Sequence, residues 1–178
     1  MGPGTPVQGT RGRTTGSGTD VCSDPVSPEP ASTAVPPGRS RDVVIDTNVV
    51  LDAFVFNDPA AQPLLSGLQI GALRWLATQP MRDELERVLT YPQIVKRLRY
   101  YELQASAVLA QFDAHAQLQP VAPKAPVTCK DADDQKFIDL AVAHHSLLLS
   151  KDQAVLCMAK RLLAHESIVQ VAIKNRAI

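Results

Sequence analysis

The stretch Val43-Val44-Ile45-Asp46 indicates the fold of this chain more clearly than any other segment. Three consecutive β-branched residues predict a short strand that is buried on both faces. Strands of this kind lie in the centre of parallel sheets, and open α/β sheets bind their ligands at the carboxyl ends of such strands. Asp46 is therefore a candidate site residue, although an aspartate at this position could also cap the following helix.

Predicted strands and helices alternate on the carboxyl side of this stretch. Short apolar runs predict strands, apolar residues at helical spacing predict helices, and proline and glycine mark the boundaries. Alternation of this kind implies crossover helices and a parallel sheet covered on both faces. We therefore predict an α/β protein, a three-layer α/β/α sandwich with a mostly parallel central sheet. Further strands are expected at residues 72–77, 147–149 and 168–173, and helices at residues 59–71, 80–89, 92–98, 102–117, 133–145 and 153–165.

Composition and length indicate one folded domain. The chain has 178 residues, of which 45% are hydrophobic, and no apolar run approaches the roughly 18 residues that a membrane helix needs. Residues 1–40 contain seven of the nine glycines and seven of the fourteen prolines, together with many Ser and Thr residues. This composition predicts a disordered tail at residues 1–40, followed by a folded domain at residues 41–178. The tail has no apolar signal-peptide core, so a cytoplasmic location is expected.

Charge alone does not indicate a nucleic-acid partner. Residues 41–178 carry 15 basic and 15 acidic residues, so the domain lacks a basic excess. The segment Lys96-Arg97-Leu98-Arg99-Tyr100-Tyr101 could contact a nucleic acid locally, since cations neutralise phosphates and aromatic rings stack on bases. A solvated helix face explains the same residues. Arg97 and Arg99 are therefore candidate substrate contacts with a structural alternative.

Four acidic positions follow the predicted elements in a regular order. Asp46 and Asp152 follow predicted strands, whereas Glu84 and Asp134 lie in or at the start of predicted helices. Capping or the helix dipole explains each residue separately. Three carboxylates within the four residues 131–134 repel one another unless they are neutralised. Together the four positions predict an acidic cluster at one edge of the sheet, where hard divalent cations would bind.

The chain resembles the PIN domain family, in particular the toxin components of bacterial toxin–antitoxin pairs. The resemblance covers residues 42 to about 172 and rests on four stretches. These are Val-Ile-Asp46-Thr-Asn-Val-Val, Glu84-Leu-Glu-Arg-Val-Leu, Asp131-Ala-Asp-Asp-Gln-Lys-Phe-Ile-Asp-Leu-Ala and Leu-Leu-Ser150-Lys-Asp.

The resemblance implies a ribonuclease that uses Mg²⁺ or Mn²⁺ to cut single-stranded RNA. It also implies a homodimer and an antitoxin partner. By position, Asp46, Glu84, Asp134 and Asp152 would be catalytic, and all of them except Glu84 would hold the metal. Whether Asp133 or Asp134 is the ligand stays open. The implied supporting residues are Thr47, Asn48, Asp133 and Ser150.

Lys151 replaces a glycine that the family often has before its last aspartate. Lys151 could contact a phosphate or could pair with an acidic side chain. Two other classes of function are also compatible with the pattern. A phospho-acceptor signalling domain also places aspartates and a lysine at strand ends, and a catalytically silent α/β module would only bind a partner.

Overall fold

A computed structural model describes residues 1–2 and 40–173 of the chain. The predicted tail at residues 1–40 lies almost wholly outside the described residues, so its disorder stays a prediction. Residues 40–173 form an α/β domain. No helix among these residues is long and apolar enough to cross a membrane.

Five parallel strands form one sheet, in the order β3-β2-β1-β4-β5. β1 lies in the centre, where Val43 pairs with Trp75 of β2 on one side and with Leu147 of β4 on the other. The α/β class is therefore confirmed, and the sheet is wholly parallel. The strands are β1 (Arg41–Ile45), β2 (Leu73–Ala77), β3 (Ala116–Leu118), β4 (Leu147–Leu149) and β5 (Ile168–Gln170).

The burial of consecutive residues shows that helices cover both faces of the sheet. Val43, Val44 and Ile45 are all buried although successive strand residues point to opposite faces, and residues 147–149 of β4 are buried in the same way. The three-layer prediction is confirmed. The helices are α1 (Thr47–Phe54), a 3-10 turn (Pro59–Ala61), α2 (Gln62–Gln69), α3 (Gln79–Leu89), α4 (Pro92–Tyr100), α5 (Ala105–His115), α6 (Gln135–Ala143), α7 (Gln153–Leu156) and α8 (Ala159–Leu163).

Two predicted helices differ from the observed elements. The helix predicted at residues 102–117 is α5, which ends at His115, and the residues after it form strand β3 beside β2. The single helix predicted at residues 153–165 is divided into α7 and α8. The buried positions Val155, Met158 and Leu162 keep helical spacing across the division, so the apolar pattern contains no sign of the break.

The strand order creates a topological switch point beside β1. The chain runs from β1 through β2 to β3 on one side, and then crosses to β4 on the other side. Open α/β sheets bind ligands outside the carboxyl ends of the strands at such a point. Asp46 follows β1 and Ser150 follows β4, so both residues lie there. The backbone N–H of Asp46 donates to the Leu149 carbonyl at 2.9 Å, which holds the two strand ends together.

Candidate active site

Asp46 is a buried carboxylate that does not cap the helix it precedes. It is 4% exposed and occupies the N-cap position of α1, but its side chain accepts no capping hydrogen bond from that helix. Oδ2 of Asp46 instead accepts hydrogen bonds from Ser150 Oγ, at 2.5 Å, and from Asn48 Nδ2, at 2.9 Å. The capping interpretation of Asp46 is therefore wrong, and the carboxylate is held by side chains from the first turn of α1 and from the end of β4.

Ser150 and Asn48 connect the two strand ends around this carboxylate. Ser150 is fully buried, and its Oγ also accepts a hydrogen bond from the Asp152 backbone N–H at 3.0 Å. Asn48 uses its other side-chain atom, Oδ1, to accept from the Lys151 backbone N–H at 3.3 Å. One network therefore fixes Asp46 and the start of the Asp152 loop in a single arrangement.

Glu84 lies on α3 and is held by two donors from other elements. Thr47 Oγ1, at the start of α1, donates to Glu84 Oε1 at 2.8 Å. Lys136 of α6 forms an ion pair with Glu84 Oε2 and also donates to the backbone carbonyl of Asp133. Lys136 was not identified from the sequence. Its proximity to the carboxylates 131–134 was a possible signal, but its pairing with a residue of α3 depends on helix packing.

Asp134 is partly buried at the N-cap position of α6, where its side chain makes no capping hydrogen bond. Its Oδ2 atom is buried and has no hydrogen-bond partner among the described residues. The neighbouring Asp133 is exposed, and its backbone N–H donates to Asp131 Oδ1 at 2.9 Å. Asp134, unlike Asp133, therefore has a carboxylate oxygen that is buried and receives no hydrogen bond from the described residues.

Asp152 does act as a helix cap. Its Oδ1 accepts the backbone N–H of Ala154 at 2.6 Å, at the start of α7. A carboxylate has two oxygens, so this hydrogen bond leaves Oδ2 free of the cap. The capping interpretation is correct for Asp152 and does not prevent a second interaction.

Burial and neighbouring negative charges raise the pKa of two carboxylates of the site, Asp134 and Asp46. The pKa of Asp134 is raised to about 7, mainly by burial and then by the negative charges of Asp46, Asp152 and Asp131, while Lys136 opposes the rise. Burial also raises the pKa of Asp46 above its ordinary value. Hydrogen bonds to the Asp46 carboxylate oppose that rise, and the charge of Glu84 adds to it. The fold therefore brings acidic groups from distant parts of the chain close enough to repel.

The donor set matches the preference of a hard divalent cation, which binds oxygen ligands. The unpartnered Oδ2 of Asp134 and the repulsion around it fit a cation at this position. Within residues 40–173, however, no three Asp, Glu, His or Cys side chains stand close enough together to hold one ion. The carboxylates of Asp46, Glu84 and Asp152 are each turned toward a donor of the protein instead.

Lys151 lies beside the site but pairs with other acidic residues. Its Nζ is 2.6 Å from Asp52 Oδ2 and 3.1 Å from Asp58 Oδ2, neither of which belongs to the predicted quartet. These contacts raise the pKa of Lys151, with the Asp52 hydrogen bond as the largest cause. A phospho-acceptor site would direct its lysine to the reactive aspartate, and Lys151 does not point to Asp46. Arg97 and Arg99 are exposed on α4.

Comparison with known families identifies the family of this domain. Residues 42–154 match the PIN domain, a segment that includes all four acidic positions of the site and extends from β1 into α7. A comparison with curated proteins gave no significant match. Because the matched segment spans more than half of the chain, the protein belongs to the PIN domain family.

Proposed function

We propose that this PIN domain is a metal-dependent endoribonuclease that hydrolyses phosphodiester bonds in single-stranded RNA. PIN domains are generally nucleases, which supports the reaction class. The observation that carries the proposal is the environment of Asp134. Its Oδ2 is buried without a donor within residues 40–173, and burial together with the charges of Asp46, Asp152 and Asp131 raises its pKa to about 7.

Asp46, Asp134 and Asp152 would hold Mg²⁺ or Mn²⁺, with Glu84 acting through a water or from the outer shell. Such an ion, when bound, supplies a more acidic water as nucleophile and offsets the charge of the phosphate. The residues of the chain hold the ligands in place. Ser150 and Asn48 orient the Asp46 carboxylate, and Thr47 orients Glu84.

An open groove beside Glu84 offers a route for the RNA backbone. Pro80, Asp83, Glu84, Arg87 and Lys136 line this groove. Arg87 is exposed and forms no ion pair within residues 40–173. A phosphate beside the carboxylates needs nearby cations, because acidic side chains alone would repel it. We therefore include Arg87 among the proposed RNA contacts and leave out Lys136 and Lys151, whose ammonium groups are engaged by carboxylates of the protein.

The test is manganese-dependent digestion of an end-labelled pool of single-stranded RNA. We expect the unmodified protein to cut the pool and the Asp46→Asn variant to be inactive. Glu86→Gln is the matched control, because it removes one carboxylate charge from an exposed position on α3. Equal cutting by the unmodified protein and Asp46→Asn would overturn the assignment. Calorimetric titration with Mn²⁺ distinguishes the proposed nuclease from a catalytically silent partner-binding module, because the silent module would bind no ion at this site.

A narrower role, as the toxin of a toxin–antitoxin pair, is proposed on the sequence resemblance alone. That role implies a cytoplasmic location, a homodimer and a small inhibitory protein partner. Induced expression in a bacterial host should arrest growth with the unmodified chain and leave growth unchanged with Asp46→Asn. Normal growth with an active nuclease present would contradict the toxin role while leaving the nuclease proposal intact.

A further inference from the structure

Helix α4 presents three cations whose charge is not used within the domain. Lys96, Arg97 and Arg99 are all exposed, and none of them forms an ion pair among residues 40–173. Four other basic side chains within residues 40–173, Arg74, Arg82, Lys136 and Lys151, have acidic partners. Three unpaired cations within four residues are a local basic patch on a domain that is neutral as a whole.

Two tyrosines adjoin these cations. Tyr100 is 76% exposed and Tyr101 is 40% exposed, and their rings meet edge to face with centroids 5.0 Å apart. Together with the three cations they form what we call the α4 surface, composed of Lys96, Arg97, Arg99, Tyr100 and Tyr101. A ring as exposed as that of Tyr100 contributes little to the core, so its face remains available to a partner.

The helix is anchored so that this surface stays turned to solvent. Ile94 and Leu98 are buried against the domain, whereas positions 93, 96, 97 and 100 share the opposite face at the spacing of one helical stripe. Pro92 lies in the first turn of the helix. The α4 surface is therefore a fixed element of the structure and does not depend on flexible loops.

Cations interleaved with exposed aromatic rings suit a single-stranded nucleic acid. Lysine and arginine neutralise its phosphates, and each unpaired base offers a face on which tyrosine stacks. A duplex keeps its bases stacked inside and would use only the cations. An anionic lipid surface would also use the cations, but it offers no base for the rings to stack on.

We propose that the α4 surface binds single-stranded RNA as a second contact outside the cleavage centre. The identity of the strand as RNA rests on the proposed function. One RNA strand could reach both sites, because α4 starts three residues after the end of α3 and packs against it. α3 carries Glu84 and Arg87, so a strand in the groove beside Glu84 could continue toward α4.

The test measures binding without cleavage. The full chain is titrated against a fluorescein-labelled single-stranded RNA in EDTA, and affinity is followed by anisotropy across several salt concentrations. In the triple variant Lys96→Gln/Arg97→Gln/Arg99→Gln, the slope of log affinity against log salt should become shallower by about 2, since each lost phosphate contact contributes roughly 0.7 for single strands. The matched control is Lys124→Gln/Lys160→Gln/Arg161→Gln, which removes three exposed cations elsewhere.

Tyr100→Ala tests the stacking contribution separately. It should weaken binding of the single strand by roughly 5- to 150-fold, which is the range for losing one stacked base. Binding to a duplex RNA of the same length should not change. Circular dichroism and thermal unfolding of each variant establish that the fold is retained, which is expected because all the substituted side chains are exposed.

Specific outcomes would overturn the inference. One is an unchanged salt slope in the α4 triple variant, and another is an equal loss in the control triple variant. Binding of anionic vesicles in place of RNA would identify a lipid surface as the partner and exclude our proposal. Failure of the nuclease proposal is distinguishable, since it appears as no manganese-dependent cutting of the single-stranded RNA pool while RNA binding in EDTA still depends on α4.

Discussion

Ser150 Oγ donates a hydrogen bond to Oδ2 of Asp46, although the two residues lie 104 positions apart in the chain. The parallel pairing of β1 and β4 brings them together, because it places the carboxyl ends of both strands at one edge of the sheet. The same hydroxyl accepts the Asp152 backbone N–H. One serine thus positions two of the proposed metal ligands.

Replacing Ser150 with alanine should destabilise the protein and reduce RNA cutting. The buried Asp46 carboxylate would lose a charge-assisted donor, at a cost of about 1–3 kcal/mol in the free energy of unfolding measured by urea titration. Ser146→Ala is the matched control at the other end of β4. Ser146 is also buried, but its Oγ makes only a long hydrogen bond of 3.4 Å to a neutral carbonyl. Equal losses in the two variants would contradict a special role for Ser150.

Variants of Asp133 and Asp134 should show which of these two aspartates is the metal ligand. We expect Asp134→Asn to lower the manganese-dependent cleavage rate by more than roughly 100-fold, since a lost ligand costs at least as much as a lost supporting contact. Asp133→Asn should change the rate by less than about fivefold, because that side chain is exposed. Single-turnover cleavage of a labelled RNA measures both. The reverse order of effects would assign the ligand role to Asp133.

The raised pKa of Asp134 predicts how stability depends on pH in metal-free protein. The folded protein holds this proton up to about pH 7, whereas the unfolded chain releases it near the ordinary value of 3.8. The stabilising contribution of protonated Asp134 is therefore complete below about pH 4 and is lost as the pH rises through 7.

Asp134→Asn removes this dependence. In EDTA the variant should be more stable than the unmodified protein at pH 8, because it avoids the cost of burying a charged carboxylate among other carboxylates. The expected gain is only about 1–2 kcal/mol, because Asp134 is partly exposed and solvent screens its charge. The gain should shrink toward zero near pH 4.5. Urea unfolding at several pH values provides the measurement, and a difference that stays constant with pH would refute the assigned cause.

Lys136 should compete with divalent ions for the acidic site. Its ammonium pairs with Glu84 and lowers the pKa of Asp134, so its removal leaves the site more negative. We expect Lys136→Met, which removes the ammonium and keeps a side chain of similar length, to raise Mn²⁺ affinity by roughly three- to tenfold in calorimetry. Lys130→Met controls for a general loss of positive charge. Weaker Mn²⁺ binding by Lys136→Met would show that Lys136 assists the ion.

The apolar pattern determined the fold class and the positions of the acidic residues on it. The runs at residues 43–45 and 147–149 predict strands that are buried on both faces, because consecutive residues of a strand face opposite ways and all residues of these runs are apolar. Aspartates that directly follow such runs must lie at the carboxyl edge. Strand β3 escaped prediction because Ala116-Gln117-Leu118 has no strand pattern of its own and is ordered by hydrogen bonds to β2.

Only the tertiary structure decided the partners of each charged side chain. The sequence left a phosphate and an acidic residue as alternative partners of Lys151, and the fold gives it Asp52 of α1 and Asp58 at the start of the 3-10 turn. It also left the choice between Asp133 and Asp134 open, and the start of α6 buries one carboxylate oxygen of Asp134 and exposes Asp133. Burial follows from local periodicity, whereas an ion pair or hydrogen bond depends on distances of a few ångströms between elements far apart in the chain.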